Sequence, residues 1–135
     1  MTFGERLKEL RKLTKSPQKN IAEYLGITIR AYQFYEADQK EPSINGLKKL
    51  ADYFNVPLDF LVGRGVFENW GQISSHWDIV SNMICLQLSK TFPQFTQQFE
   101  NIKENKIYAI QIINIFISKI LIDDNNNITV FLEKP

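Results

Sequence analysis

The sequence predicts a mainly α-helical protein, with five short helices in residues 1–65 and a small helical part in residues 66–135 that ends in a possible short β-strand or hairpin. Apolar residues recur at helical spacing in both parts. Gly, Pro and Asn residues separate these short segments from one another. Near the end of the chain, "ITVFLE" alternates in hydrophobicity as a strand does.

The first two helices are defined by apolar stripes and by the residues that flank them. The first stripe runs from Phe3 to Leu13, with Lys and Arg between its apolar members. Ser16 is the predicted N-cap of the second helix, because Pro17 follows it and suits a first helical turn. Gly26 is predicted to end that helix, since glycine readily adopts the left-handed conformation that commonly follows a helix.

The third helix is predicted to begin at Thr28, a residue type that accepts a hydrogen bond from a first-turn N–H group. Three residues, "GIT", separate it from the second helix, which is the length of a helix-turn-helix corner. The inner face of the third helix is predicted to carry Ala31, Tyr32 and Tyr35. Pro42 and Ser43 are predicted to start the fourth helix, and Pro57 the fifth.

Residues 66–135 contain further helical patterns. One helix is predicted from the spacing of Trp77, Val80, Ile84 and Leu88. A second segment starts at Pro93, and a third helix is predicted from Lys106 to about Lys119. The final "ITVFLE" segment could pair with residues 119–122 as a hairpin, or with a partner chain.

Composition excludes several classes of protein. The chain is 44% hydrophobic and 23% charged, which is ordinary for a soluble globular protein. A single cysteine, Cys85, rules out an internal disulfide, and with the single histidine, His76, it cannot complete a structural zinc site. The longest apolar run, residues 107–122, is shorter than a bilayer span and includes polar residues. We therefore expect a cytoplasmic protein with no membrane segment and no metal.

The net charge of +1 is unevenly distributed along the chain. Residues 1–65 carry 11 Lys and Arg against 8 Asp and Glu, whereas residues 66–135 carry 5 against 7. The mildly basic first part hints at an anionic partner.

Residues from Phe3 to Arg64 resemble the phage-repressor, or Xre/Cro-like, helix-turn-helix family. The segments that carry the resemblance are "RLKELRK", "QKNIAEYLGIT", "AYQFYEADQKEPS" and "LKKLADYFNVPLDFLVGR". Departures from the family pattern occur at Lys19, Asn20, Phe34, Asp38 and Gln39. The resemblance implies that residues 1–65 form a five-helix Cro/repressor-like helix-turn-helix domain, which binds double-stranded DNA in a transcriptional regulator.

The resemblance also implies that the third helix enters the major groove and contacts base edges. Arg30 could bind O6 and N7 of guanine, and Gln33 could pair with adenine. Ile29 and Phe34 could pack on thymine methyl groups, or could instead be core or interface residues. The helix N-terminus at Thr28 favours a phosphate.

Three further residues are candidates for contact with the DNA backbone. Gln18 is expected to bond a phosphate or to brace the third helix, and Lys19 adds positive charge beside it. Lys40, together with backbone N–H groups of the "ADQKE" loop, is expected to hold a phosphate. Asp38 places a negative charge in the same loop and so opposes that role.

Arg11 and Glu36 match an ion pair of the family. The pair would join the first helix to the end of the third. We expect it to be structural, because an unpaired half-buried charge is costly.

No residue is expected to be catalytic, and no cofactor is expected. His76 follows two serines, but adjacency in sequence does not make a catalytic triad. Cys85 lies in an apolar stripe and is expected to be an inert core thiol.

Residues 66–135 carry no motif with known chemistry, and three interpretations stay open. The favoured one is homodimerisation, because one small domain makes few DNA contacts and two copies on an inverted repeat would supply useful affinity. Another is a pocket for a peptide or small ligand. The third is an effector, similar to anti-CRISPR inhibitors of phages and mobile elements, which binds and inhibits a protein partner while the helix-turn-helix serves autoregulation. We therefore expect a homodimeric repressor that binds an inverted-repeat operator through residues 28–36.

Overall fold

The computed structural model describes residues 1–132 and is mostly helical, in agreement with the predicted fold class. The chain divides into two units, Met1–Gly63 and Arg64–Pro135, next to the boundary expected after residue 65. Each unit has its own set of buried apolar side chains. Within the described residues, no helix has the length and apolar character needed to cross a membrane.

The N-terminal unit contains five short helices. The helices are α1 (Phe3–Leu13), α2 (Gln18–Leu25), α3 (Ile29–Glu36), α4 (Ile44–Phe54) and α5 (Leu58–Val62). As predicted, Thr28 and Ser43 cap α3 and α4, because their hydroxyl oxygens accept hydrogen bonds from the N–H groups of Ala31 and Gly46, both at 3.0 Å. Gly26 ends α2 in the left-handed conformation, with a φ of 71°.

The core of the N-terminal unit draws side chains from all five helices. Its fully buried members include Leu7, Leu10, Ile21, Ala22, Tyr32, Leu50, Phe54, Phe60 and Leu61. Each large apolar side chain contributes roughly 1.5–3 kcal/mol to folding when it is withdrawn from water. This core holds α3 against both α1 and α2.

The predicted N-cap of α2 is wrong. Pro17 occupies the cap position in an extended conformation and forms no side-chain cap. The Ser16 hydroxyl instead accepts hydrogen bonds from the hydroxyls of Tyr53, at 3.0 Å, and Thr14, at 3.1 Å. A partner on α4, which is distant in sequence, thus takes the side chain away from its local role.

The buried face of α1 also differs from the apolar stripe. Leu13, at the C-terminal end of the stripe, is exposed, whereas Arg6 is buried. The guanidinium of Arg6 lies against Gly63, the residue that ends α5 with a φ of 69°. A side chain at position 63 would displace that guanidinium, so the absence of a Cβ there makes room for the buried arginine.

The C-terminal unit begins with a 3₁₀ turn and continues through four helices. The turn is Gly65–Asn69, and the helices are α6 (Trp70–Ser75), α7 (Trp77–Thr91), α8 (Thr96–Glu100) and α9 (Lys106–Phe116). Two further 3₁₀ turns, Pro93–Phe95 and Asn101–Lys103, flank α8. The core of this unit includes the predicted α7 stripe, Trp77, Val80, Ile84 and Leu88, together with Phe67, Trp70, Ile73, Phe99, Ile110 and Ile113.

The isoleucine-rich segment near the C-terminus is part helix and part strand. The predicted helix to about Lys119 ends at Phe116, and β1 runs from Ile117 to Ile122. β1 pairs antiparallel with β2, Ile128–Leu132, so the hairpin is formed within the chain, which is one of the two pairings left open for the alternating segment. β-Branched residues suit a strand, and the cross-strand partner decides where the helix stops. Glu133, the last residue of "ITVFLE", lies outside the described residues.

The turn of the hairpin is organised by one carboxylate. Asp123 Oδ1 accepts hydrogen bonds from the backbone N–H groups of Asn125, at 2.9 Å, and Asn127, at 2.8 Å. The side-chain amide of Asn127 donates to Asp123 Oδ2 at 3.0 Å. These bonds hold the pKa of Asp123 below its ordinary value, so the turn keeps its carboxylate acceptor at neutral pH.

Candidate nucleic-acid interface

The outer face of α3 presents a small set of polar and apolar side chains. Ile29, Arg30 and Gln33 are exposed, whereas Phe34 is half-buried. Tyr32, on the opposite face, is fully buried and secures the helix to the core. The outer face of α3 therefore offers an amide, a guanidinium and an aliphatic side chain to a partner.

A chain of hydrogen bonds runs from this face to α1. The Gln33 amide nitrogen donates to Gln18 Oε1 at 3.0 Å, and the Gln18 amide nitrogen donates to Glu36 Oε1 at 3.2 Å. Arg11 completes the chain, because its Nε donates to Glu36 Oε2 at 2.6 Å and its terminal nitrogen to Oε1 at 3.1 Å. Gln18 thus braces α3, which is one of the two roles expected for it. An amide has two N–H groups, so Gln33 can still bind an adenine edge while it is bonded to Gln18.

The carboxylate of Glu36, at the centre of this series of hydrogen bonds, is kept ionised by its partners. Burial opposes ionisation of Glu36, but its polar contacts with Arg11, Tyr32 and Gln18, together with the charge of Arg11, hold the pKa of Glu36 below its ordinary value of 4.5. The side chains of Arg11 and Glu36 are 18% and 7% exposed. The ion pair is therefore shielded from solvent and salt, and it fixes the end of α3 to α1.

The Phe34 ring has two cations close to it. The Arg30 guanidinium carbon is 5.3 Å from the centre of the Phe34 ring, and the Lys40 ammonium is 5.1 Å from the same point. Both distances are within the range of cation–π attraction. Phe34 thereby brings together Arg30 of α3 and Lys40 of the loop that follows it.

The loop between α3 and α4 uses its backbone N–H groups internally. The N–H groups of Asp38, Gln39 and Lys40 all donate to carbonyl oxygens of α3, at Tyr35 and Phe34. These three groups are therefore not available to a phosphate, which corrects the expectation for the "ADQKE" loop. The candidate that the loop retains is the Lys40 ammonium.

Asp38 has a structural role that the sequence did not indicate. Its Oδ1 accepts from the Gly4 backbone N–H at 2.8 Å, and its Oδ2 accepts from the Thr2 hydroxyl at 2.6 Å. The carboxylate thus binds the N-terminus of α1, where the helix dipole favours negative charge. The acidic residue that weakened the case for DNA binding is therefore directed at α1. Gly4, the second residue of α1, was the sequence signal for this close approach of α1 to Asp38.

The remaining candidates are more peripheral. Lys19 lies on α2 at 4.0 Å from Glu23, and both side chains are about two-thirds exposed, at 69% and 67%. Thr28 caps α3, and its hydroxyl hydrogen is left to donate to a phosphate. The fold brings Gln18, Gln33 and Glu36 into one bonded group and Arg30, Phe34 and Lys40 into another.

The N-terminal unit matches a known protein family. Residues 7–61 match the family model described as Helix-turn-helix. No family model matches the C-terminal part of the chain. The resemblance stated from the sequence is confirmed for this segment.

Curated relatives of the segment are transcriptional regulators, and two of them are described as phage-derived. Over 60 residues the chain is 42% identical to the uncharacterized SPbeta prophage-derived HTH-type transcriptional regulator YonR of Bacillus subtilis, a match that covers 44% of this chain and 56% of that protein. Over 64 residues it is 34% identical to the cryptic phage CTXphi transcriptional repressor RstR of Vibrio cholerae, covering 47% of this chain and 57% of that protein. The matched segment thus spans about half the length of these relatives.

Among solved structures, a transcriptional regulator from Listeria innocua is similar to this chain. The TM-score is 0.45 and the sequence identity 25%, and the match covers 68% of this chain and 96% of that chain.

Proposed function

We propose that this chain, whose residues 7–61 form a helix-turn-helix domain, is a sequence-specific DNA-binding transcriptional regulator. In its most specific form, the proposal is that the protein is a homodimeric repressor that binds an inverted-repeat operator. The observation that carries the proposal is the outer face of α3, where Arg30 and Gln33 are exposed on a helix that is bonded to α1 and α2. Base recognition needs side chains that are held in fixed positions. The hydrogen bonds from Gln33 to Gln18 and from Gln18 to Glu36 hold the face of α3 in this way.

Each candidate residue has a distinct role in this proposal. Arg30 binds the two acceptors of a guanine, and Gln33 binds an adenine. Ile29 packs on a thymine methyl group. The cap residue Thr28 and the cations Lys19 and Lys40 contact phosphates and supply the salt-dependent part of the affinity.

The first experiment is a titration of the purified protein against DNA from upstream of its own gene, repeated over a range of salt concentrations with stoichiometry recorded. We expect tight, sequence-dependent binding of two chains per inverted repeat. Binding that ignores sequence and disappears at moderate salt would contradict the proposal, because phosphate contacts alone behave in that way.

The substitution Arg30→Ala is expected to weaken operator binding by about tenfold to a hundredfold, since a bidentate guanine contact is worth about 1–3 kcal/mol. Binding to unrelated duplex DNA should fall much less. Fluorescence anisotropy with both duplexes measures the two affinities. The matched control is Lys8→Ala, which removes an exposed cation of α1 and should change the two affinities alike. Unchanged operator affinity of Arg30→Ala would remove Arg30 from the recognition surface.

The C-terminal unit supports the homodimer with an apolar stripe on the outside of α7. Ile79 and Leu86 are 52% and 61% exposed, and the half-buried Met83 lies between them. The spacing of these residues places all three on one side of the helix, away from the buried face. Lys90 follows at the end of the stripe and Asp78 adjoins its start, so an antiparallel second copy would bring opposite charges together.

The substitution Leu86→Asp is therefore expected to weaken self-association by about tenfold or more, because it buries a charge at the centre of the pair. Operator affinity should fall with it. Sedimentation velocity over a concentration series measures the dimer dissociation constant. Ile115→Asp is the matched control, since Ile115 of α9 is 60% exposed. If Ile115→Asp disrupts the dimer and Leu86→Asp does not, another face of the unit forms the interface. A wild-type chain that stays monomeric with its operator would contradict the homodimer.

A further inference from the structure

The cluster of Arg30, Phe34 and Lys40 combines residues with different expected tasks. Arg30 belongs to the part of α3 that faces bases, whereas Lys40 belongs to the loop expected to contact the DNA backbone. The Phe34 ring is 5.3 Å from the first cation and 5.1 Å from the second. One aromatic side chain therefore holds the long, flexible side chains of both cations.

The main chain reinforces this arrangement. The carbonyl oxygen of Phe34 accepts hydrogen bonds from the N–H groups of Gln39, at 3.0 Å, and Lys40, at 3.4 Å. Asp38 anchors the same loop to the start of α1. The backbone of Lys40 is thus tied to the residue whose ring its ammonium approaches, and the geometry of the cluster does not depend on the side chains alone.

The electrostatics of the cluster favour an anion. Within residues 1–132, no ion pair joins Arg30 or Lys40 to an acidic side chain. Two cations near one ring repel each other, and the negative face of the ring offsets part of that repulsion. A DNA backbone supplies the remaining negative charge, so the cluster is more favourable in the bound state than in the free protein.

The geometry points to Phe34 as a positioning residue that couples base recognition by Arg30 to phosphate binding by Lys40. This inference rests on the proposed DNA-binding function and replaces the thymine contact expected for Phe34. Pre-ordering the two cations reduces the side-chain entropy that binding would otherwise cost. Phe34 acts on affinity through its neighbours and needs no contact with a base.

The first test compares ring-retaining and ring-removing variants at this position. The DNA is the duplex that the wild-type protein selects from a randomised pool. Phe34→Leu is expected to bind it about tenfold more weakly, since it loses two cation–π contacts, whereas Phe34→Tyr keeps the ring and should bind within about twofold of wild type. A ring-fluorinated phenylalanine at this position keeps the shape but weakens the negative ring face, and it should bind with intermediate affinity. Circular dichroism and thermal unfolding establish that each variant is folded.

The second test measures the coupling itself by a double-mutant cycle. In the wild-type background, Arg30→Ala and Lys40→Ala should be non-additive, because both cations contact the same ring and removal of one changes how the ring holds the other. In the Phe34→Leu background, the two substitutions should become additive. A ring that serves only as core packing would leave the coupling unchanged.

Three outcomes would overturn the inference while leaving the proposed function intact. One is Phe34→Leu binding as wild type. Another is equal loss in Phe34→Leu and Phe34→Tyr. The third concerns a duplex in which deoxyuridine replaces thymidine. If this replacement weakens binding of the wild-type protein but not of Phe34→Leu, Phe34 contacts a thymine methyl group. Failure of the wild-type protein to select any sequence would instead count against the proposed function.

Discussion

The substitution Gly4→Ala is expected to lower the free energy of unfolding of the N-terminal unit by about 3 kcal/mol. A Cβ at position 4 would lie against the carbonyl group of Glu36 and within 2.8 Å of Asp38 Oδ2. The carbonyl belongs to the end of α3 and cannot move without breaking the contact between α1 and α3. The same displacement would break the hydrogen bond from the Gly4 N–H group to Asp38. Urea unfolding followed by circular dichroism measures the change.

Gly46→Ala provides a matched control for this prediction. Gly46 also lies in the first turn of a helix, but a Cβ there would meet Pro42 Cβ at 3.2 Å and Ser43 Oγ at 3.4 Å, neither of them main-chain atoms. Alanine is also the better helix former by roughly 0.5–1 kcal/mol, so a net change below about 1 kcal/mol is expected. Equal effects of the two substitutions would show that the close approach of α1 to α3 does not constrain the unit.

The substitution Glu36→Gln is expected to destabilise the same unit by about 2–3 kcal/mol at pH 7, because it leaves the charge of Arg11 shielded and without its counter-charge. Glu36 also accepts from Gln18, which in turn accepts from Gln33, so the variant should loosen the recognition face. Operator affinity should therefore fall although Glu36 has no DNA contact in the proposal. Denaturant unfolding and anisotropy on the same samples separate the two effects.

The effect of Glu36→Gln should depend on pH in a defined direction. The folded-state pKa of Glu36 is depressed below the ordinary value of 4.5. Its carboxylate therefore contributes full stability above that value, and the contribution declines as the pH falls through the folded-state pKa. The difference between wild type and Glu36→Gln should be constant near neutral pH and should shrink in the acid range.

Glu23→Gln is the control for the acid series. Glu23 is 4.0 Å from Lys19 in an ion pair whose members are mostly exposed, so its loss should cost less than about 0.5 kcal/mol. If the difference between wild type and Glu36→Gln did not change with pH, the carboxylate of Glu36 would not be the source of the stability.

The helices of the N-terminal unit could be predicted because their signals are local. Thr28, Ser43 and Gly26 cap or end helices through hydrogen bonds and backbone conformations that span four residues or fewer. The Ser16 cap failed for a different reason. Its hydroxyl is bonded to Tyr53, and no short-range pattern contains that partner.

In the candidate site, too, local features could be predicted and features that depend on distant partners could not. The exposed residues of α3 could be chosen from helical spacing and from the family resemblance. The approach of both Arg30 and Lys40 to the Phe34 ring could not, because the path of the following loop brings Lys40 back to α3. Asp38 was expected to place its charge near the DNA backbone. Its carboxylate instead binds Thr2 and Gly4, which lie 36 and 34 positions earlier in the chain.

The sequence by itself determined the helical class and the order of the first five helices, and it left open whether the final strand pairs within the chain or with a partner. Hydrophobic periodicity and helix capping depend on residues that are close in sequence, so they do not require a particular tertiary environment. The tertiary structure alone decided that α9 stops at Phe116, that Arg6 is buried and that Gln18 braces Gln33. Each of these depends on a partner distant in sequence, whose hydrogen bonds or packing outweigh the local preference.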